Sequence, residues 1–121
     1  MIRDSLFLTA YCLLIFMLSA QSTLPTPLKF PHQDKLIHAT AYAIMAWLAW
    51  HAFSHHIKSH LSLAAISIVF VSMYGITDEF HQSFVAGRNA DILDWLADTI
   101  GGVCMVLTIY YWQLRRSFKA Q

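Results

Sequence analysis

Long apolar runs alternate with short polar breaks along the chain. Residues 5–28, 36–57, 59–77 and 99–114 contain no Lys, Arg, Asp or Glu. A helix needs about 20 mostly apolar residues to cross a bilayer. The first three runs are long enough, with Pro25 and Pro27 trimming the first to about residues 5–22. The fourth is short by about one turn, so its helix has to take in Trp95, which carries Asp98 about 5 Å into the apolar slab. The pattern predicts an all-α membrane protein, a bundle of four transmembrane helices near residues 5–22, 35–55, 60–79 and 92–114. No internal repeat or low-complexity tract divides the 121 residues, and a single domain fits the length.

The first run has a rival reading. Arg3, the apolar stretch and Leu18-Ser19-Ala20 before Gln21 resemble a signal peptide. Asp4 weakens a positive leading segment, and Leu18 is too large for the site that precedes cleavage, so the run is read as a span. With four spans both termini share one side, which collects Arg3, Lys58, Arg115, Arg116 and Lys119, against Lys29, Lys35 and Arg88 on the other. This excess predicts cytoplasmic termini. Trp95 and Trp112 fit two interfacial belts, and Arg115 and Arg116 follow Tyr110-Tyr111-Trp112 as a cytoplasmic anchor.

Composition agrees with lipid as the solvent. The chain is 57% hydrophobic and only 12% charged, whereas a soluble domain carries about 25% charged residues. A net charge of +1 without a basic cluster gives no argument for nucleic acid. Cys12 and Cys104 lie inside apolar runs and read as small hydrophobes rather than a disulfide.

Against this background the ionisable residues stand out. Residues 74–102 hold five of the seven acids (Asp78, Glu79, Asp91, Asp94 and Asp98), with Arg88 among them. Charges at the edge of hydrocarbon are costly and point to a site. A second piece opens the second span, where Asp34, His38 and Tyr42 recur at helical spacing beside Lys35. Asp34 also fits a first-turn acid, and Lys35 a snorkelling side chain. In the longer piece, Glu79 and Gln82 close the third span, where the helix end disfavours acids and calls for a cation. Arg88 in the loop and Lys35 are the candidates. Val85-Ala86-Gly87-Arg88-Asn89 reads as a turn in which Gly87 takes a positive φ. Asp91, Asp94 and Asp98 then share one helical face. The first two also suit a capping role, whereas Asp98 is too deep for one. Ala97 and Gly101 form a small-xxx-small pair for close helix contact. His51, His55, His56 and His60 gather around Lys58 and read as a solvated or headgroup-level hairpin rather than a metal site.

With these residues assembled, the chain resembles the VanZ-like family of small integral membrane proteins. The shared pattern is D-K-x-x-H-x-x-x-Y, then E-x-x-Q, G-R, two spaced acids and a closing G. Here these are Asp34, Lys35, His38 and Tyr42, then Glu79, Gln82, Gly87, Arg88, Asp91, Asp94 and Gly101, over about residues 29–107. Asp98 stands where the family often has Asn, which leaves its charge open, and Ala86 stands where Pro often precedes Gly-Arg. The resemblance implies a multi-pass protein of the plasma (inner) membrane. The family's namesake is linked to low-level resistance to the glycopeptide teicoplanin. No established reaction comes with it.

The residues support three kinds of function. The first is a non-catalytic envelope protein whose outer-face polar pocket binds a lipid-linked or amphiphilic anionic ligand. The pocket would be formed by Asp34, Lys35, His38, Tyr42, Glu79, Gln82, Arg88, Asp91, Asp94 and Asp98. The second is an intramembrane hydrolase or transferase acting on lipid headgroups, with Glu79, Asp94 or Asp98 and His38 as acid/base pairs or as ligands of a divalent metal. The third is a proton-coupled carrier, which on four spans would need to dimerise. The first is preferred, with no catalytic residue, metal ligand or cofactor assigned. The expected partner is a membrane lipid or lipid-linked envelope precursor, with a homo-oligomer as a further candidate and no nucleic acid.

Overall fold

A computed structural model describes residues 1–22 and 31–119. It has four helices: α1 (Ile2–Ser19), α2 (Gln33–Ser54), α3 (His60–Gln82) and α4 (Ile92–Lys119). All four are long and apolar enough to cross a membrane. At 1.5 Å per residue the shortest spans about 27 Å, close to a hydrocarbon core. Pro25, Pro27 and Lys29, expected in the first loop, lie outside the described residues.

The helix ends differ from the expected ones by a few residues, for local reasons. α3 runs past Glu79 to Gln82, whose amide donates to Asp78 one turn back at 3.0 Å. α4 continues to Lys119, with Arg115 stacked over Tyr111 and Arg116 over Trp112. α3 begins at Ser59, whose hydroxyl accepts from the Ser62 amide and satisfies one of the first-turn donors.

Contacts near the helix ends fix the directions. Lys35 at the start of α2 meets Asp91 and Asp94 at the start of α4, so α2 and α4 run parallel. Asp4 at the start of α1 meets His55 just beyond α2, so those two are antiparallel. Ser19 and His81 bring together the ends of α1 and α3. The loop between α3 and α4 thus shares one end of the bundle with the start of α2. α2 is the central helix, packed against α1, α3 and most extensively α4. It supplies Tyr42, Met45, Ala46, Ala49 and Trp50 to the core, where Leu63 and Val71 of α3 and Val106 of α4 meet them.

Close approach of α2 and α4 depends on Gly101. A Cβ there would lie 2.0 Å from the Ala39 carbonyl oxygen, well inside contact distance. Gly101, one member of the expected small-residue pair with Ala97, therefore sits at a backbone-to-backbone contact. Around the outside, large apolar side chains such as Phe7, Leu13, Trp47, Val69 and Leu107 are exposed, as expected of a surface solvated by acyl chains. Cys12 and Cys104 are both free. Trp95 is half-buried, its indole N–H donating to the Ser72 carbonyl at 3.2 Å, so it ties α4 to α3 as well as lying near the end of its span.

Candidate functional site

The loop end of the bundle concentrates polar groups that apolar helices would otherwise exclude. Asp78, Glu79, Gln82, Asp94 and Asp98 are all buried, and Asp98 has no exposed surface. Their burial follows from helix geometry. Asp94 and Asp98 lie four residues apart on the face of α4 turned to α2. Asp78, Glu79 and Gln82 occupy the last turn of α3, turned to the same region.

Lys35 is the cation of this end. Its ammonium lies 2.6 Å from Asp91, 2.6 Å from Asp94 and 3.0 Å from Asp34. It is mostly buried, so it closes a network rather than snorkelling. Asp34 is the outlying member, 61% exposed and touching the cluster through Lys35. Asp91 lies in the loop just before α4. The hydrogen bond from Lys35, and then that from the Leu93 amide, hold its carboxyl below the usual range. Asp91 thus both caps α4 and pairs with Lys35.

One turn deeper, His38 Nδ1 is hydrogen-bonded to Asp98 Oδ1 at 2.9 Å, and His38 Nε2 lies 3.9 Å from Asp94 Oδ2. Glu79 approaches from α3. One of its oxygens accepts from the Asp91 amide at 2.7 Å, which joins the α3–α4 loop back onto α3. Its other oxygen, Oε1, and Asp98 Oδ2 are buried with no hydrogen-bond partner among the described residues. His38, Glu79 and Asp98 each present a ligand atom, all within 4.8 Å of one another.

Arg88 behaves differently from the sequence expectation. It is one of the two cations, with Lys35, expected beside the acids at the end of α3. Among the described residues no carboxylate lies within 4 Å of it, and its Nε is buried without a hydrogen-bond partner. Lys35 takes the pairing role with Asp91 and Asp94 because α2 and α4 begin at the same level. Arg88 instead lines a cavity of about 80 Å³ together with His38, Tyr42, Asp78 and Gln82. Among the described residues, the Tyr42 hydroxyl and Asp78 Oδ1 are likewise buried without a hydrogen-bond partner. Ile15, Leu18 and Ser19 of α1 form the apolar side of this cavity. A second, more open cavity of about 270 Å³ reaches Glu79 from the other side, past Ile76, Ala90, Asp91 and Trp95.

His38, Tyr42, Gln82 and Arg88 line this cavity, and the other six expected residues belong to the networks beside it, with Asp34 at their exposed edge. The turn is as expected at Gly87, where φ is +83°. Sequence reasoning left Asp78 out of the site, although its spacing from Gln82 was the available signal. Nothing in the sequence pointed to the α1 contribution. At the opposite end, His55 is bound to Asp4 at 2.6 Å and His51 to the Trp47 carbonyl at 2.8 Å.

Among protein-family models, that of VanZ/LLP1 matches residues 5–114. Comparison with curated proteins gives no match, and neither does comparison with solved structures.

Proposed function

The chain belongs to the VanZ/LLP1 family, and on that premise we propose that it is a non-catalytic membrane protein of the cell envelope that binds the anionic headgroup of a lipid-linked or amphiphilic ligand. The observation that carries this reading is the buried, unpartnered Nε of Arg88 on the wall of the cavity it shares with Tyr42, Asp78 and Gln82. A guanidinium offers two parallel N–H donors suited to a phosphate or carboxylate. Lys35 is already surrounded by acids, so among the described residues at this end Arg88 is the cation left for a ligand. The Tyr42 hydroxyl and Gln82 would supply neutral hydrogen bonds to sugar or amide groups. Exposed apolar side chains around the site, Phe80 and Phe84 among them, would receive the acyl part. By the positive-inside argument this end faces outward, where envelope precursors and glycopeptide antibiotics meet, and teicoplanin-type resistance is the expected phenotype.

Vesicles and short-chain lipids test the reading. The purified chain should bind an anionic phospholipid in preference to its zwitterionic counterpart, and Arg88→Ala should abolish the preference while leaving the helical content intact. Equal binding of both lipids by the parent would overturn the proposal. A second reading has a specific observation of its own. The His38–Asp98 pair beside Glu79 is the arrangement a general acid/base would use, so an intramembrane hydrolase or transferase on lipid headgroups is the alternative. Release of a headgroup by the parent, lost in His38→Ala, would favour it.

A further inference from the structure

Three carboxylates inside the spans, Asp78, Glu79 and Asp98, have no Lys or Arg within 4 Å among the described residues. Carboxylates in such a place need a positive partner or a donor for each oxygen. Asp78 has Gln82 for one oxygen. Glu79 and Asp98 each have one oxygen satisfied and one buried and unsatisfied. Both lie beside His38, and a mixed imidazole–carboxylate set suits a first-row divalent cation. We propose that His38, Glu79 and Asp98 form a binding site for one divalent metal ion, Zn²⁺ or Mn²⁺, held between α2, α3 and α4.

The geometry is close to what such an ion requires. Metal–ligand bonds of about 2.0–2.2 Å set neighbouring ligand atoms roughly 3 Å apart at right angles and roughly 3.5 Å apart in the tetrahedral arrangement that Zn²⁺ favours. His38 Nδ1 and Asp98 Oδ1 are 2.9 Å apart, a separation spanned by a hydrogen bond. A metal ion would replace the hydrogen-bonding proton and keep this edge or widen it by roughly half an ångström. Ligand atoms of all three residues lie within 4.8 Å of one another, so the Glu79 oxygen has to close in by up to about 1–2 Å to share an ion with the other two. Groups for a surrounding shell stand nearby, although the one facing His38 is still about 1 Å beyond hydrogen-bond reach. A ligating histidine ordinarily donates its second ring N–H to a carboxylate, and Asp94 Oδ2 stands 3.9 Å from His38 Nε2. Glu79 is oriented by the Asp91 amide on its other oxygen. The cavity lined by Ile76, Ala90 and Trp95 gives the ion a route to Glu79. Three protein ligands leave coordination positions for water or for an anionic ligand. The inference does not depend on the anion-binding role of Arg88. Its success would nonetheless weigh for the catalytic alternative, because the ion adds Lewis acidity beside the same cavity.

The test uses the full, untagged chain in detergent, stripped with a chelator and dialysed against micromolar Zn²⁺ or Mn²⁺. Metal content per chain is then measured. The expected result is one equivalent of at least one of the two metals. Glu79→Gln and Asp98→Asn should each weaken binding by about 10–100-fold or more. The histidines at the opposite end are the competing site, so His56→Ala combined with His60→Ala should leave the stoichiometry unchanged. Glu79→Gln is the decisive variant if Asp98→Asn loses helical content, because Gln keeps an acceptor for the Asp91 amide. Co²⁺ substitution gives a second readout, a visible absorption band that shifts in Glu79→Gln. Absence of stoichiometric Zn²⁺ and Mn²⁺, binding unaltered in Glu79→Gln, or binding lost in the His56/His60 variant would each overturn the proposal.

Discussion

Lys35 and Arg88 bring the same charge to one end of the bundle and meet different surroundings. Lys35 is ringed by three carboxylates, so Lys35→Ala leaves Asp94 buried and uncompensated. The expected loss is about 1–3 kcal/mol, below the 3–5 kcal/mol of a fully buried pair because part of the network is exposed; thermal unfolding in detergent measures it. Arg88 has no acid within ion-pair distance among the described residues. Arg88→Ala should therefore change stability by less than about 1 kcal/mol while removing ligand binding. Arg88→Lys should also weaken binding, since it keeps the charge and loses the planar fork. Asp91 adds a pH dependence. Its folded-state pKa is depressed, so its contribution is present above the ordinary carboxylate range and is lost as pH falls through the lowered value. Asp91→Asn should flatten that acid limb. Nearly all these residues are legible in the sequence, with Arg88 and Lys35 both candidates for the acids, but the sequence does not say which cation pairs with which acid. Arg88 is close to the acids in sequence, whereas Lys35 is 56 residues from Asp91 and reaches it only because two helices start at one level.

At the level of elements, the contact of α2 with α4 sets the register on which the polar pairs depend. Gly101 lies one turn beyond Asp98, and its neighbour across the contact, Ala39, follows His38. Gly101→Ala would drive a methyl group into a backbone carbonyl, which cannot swing aside as a side chain does. The cost should exceed the about 1–3 kcal/mol typical of overpacking, with little monodisperse protein recovered from detergent. Gly102→Ala meets the Val71 side chain instead and should stay within that range. Charge-free runs located all four helices, because length and apolarity decide what crosses a bilayer. They located helix ends less well. α3 and α4 extend into polar sequence through Gln82–Asp78 pairing and Arg–aromatic stacking, neither of which registers as apolar pattern.

The whole molecule is a thin bundle with an apolar exterior, so it should stay with membranes through alkaline carbonate washing and leave them only with detergent. A reporter after Gln121 is expected on the cytoplasmic side and one inserted at Gly87 on the other; the reverse result would turn the site inward. The family pattern was legible because its motifs fall at helix starts and ends. The cavity was not, since α1 contributes to it without any polar signature. The clasp between Lys35 and α4 also has a consequence for biogenesis. Ribosomes add about 5–20 residues per second, so Asp91 is made roughly 3–11 seconds after Lys35. Until Asp91 is made, the Lys35 ammonium has Asp34 beside it but neither Asp91 nor Asp94, and His38 lacks Asp98. The last helix made thus completes the second one, and a chain interrupted before Asp91 is left with a marginal α2 for quality-control proteases to extract.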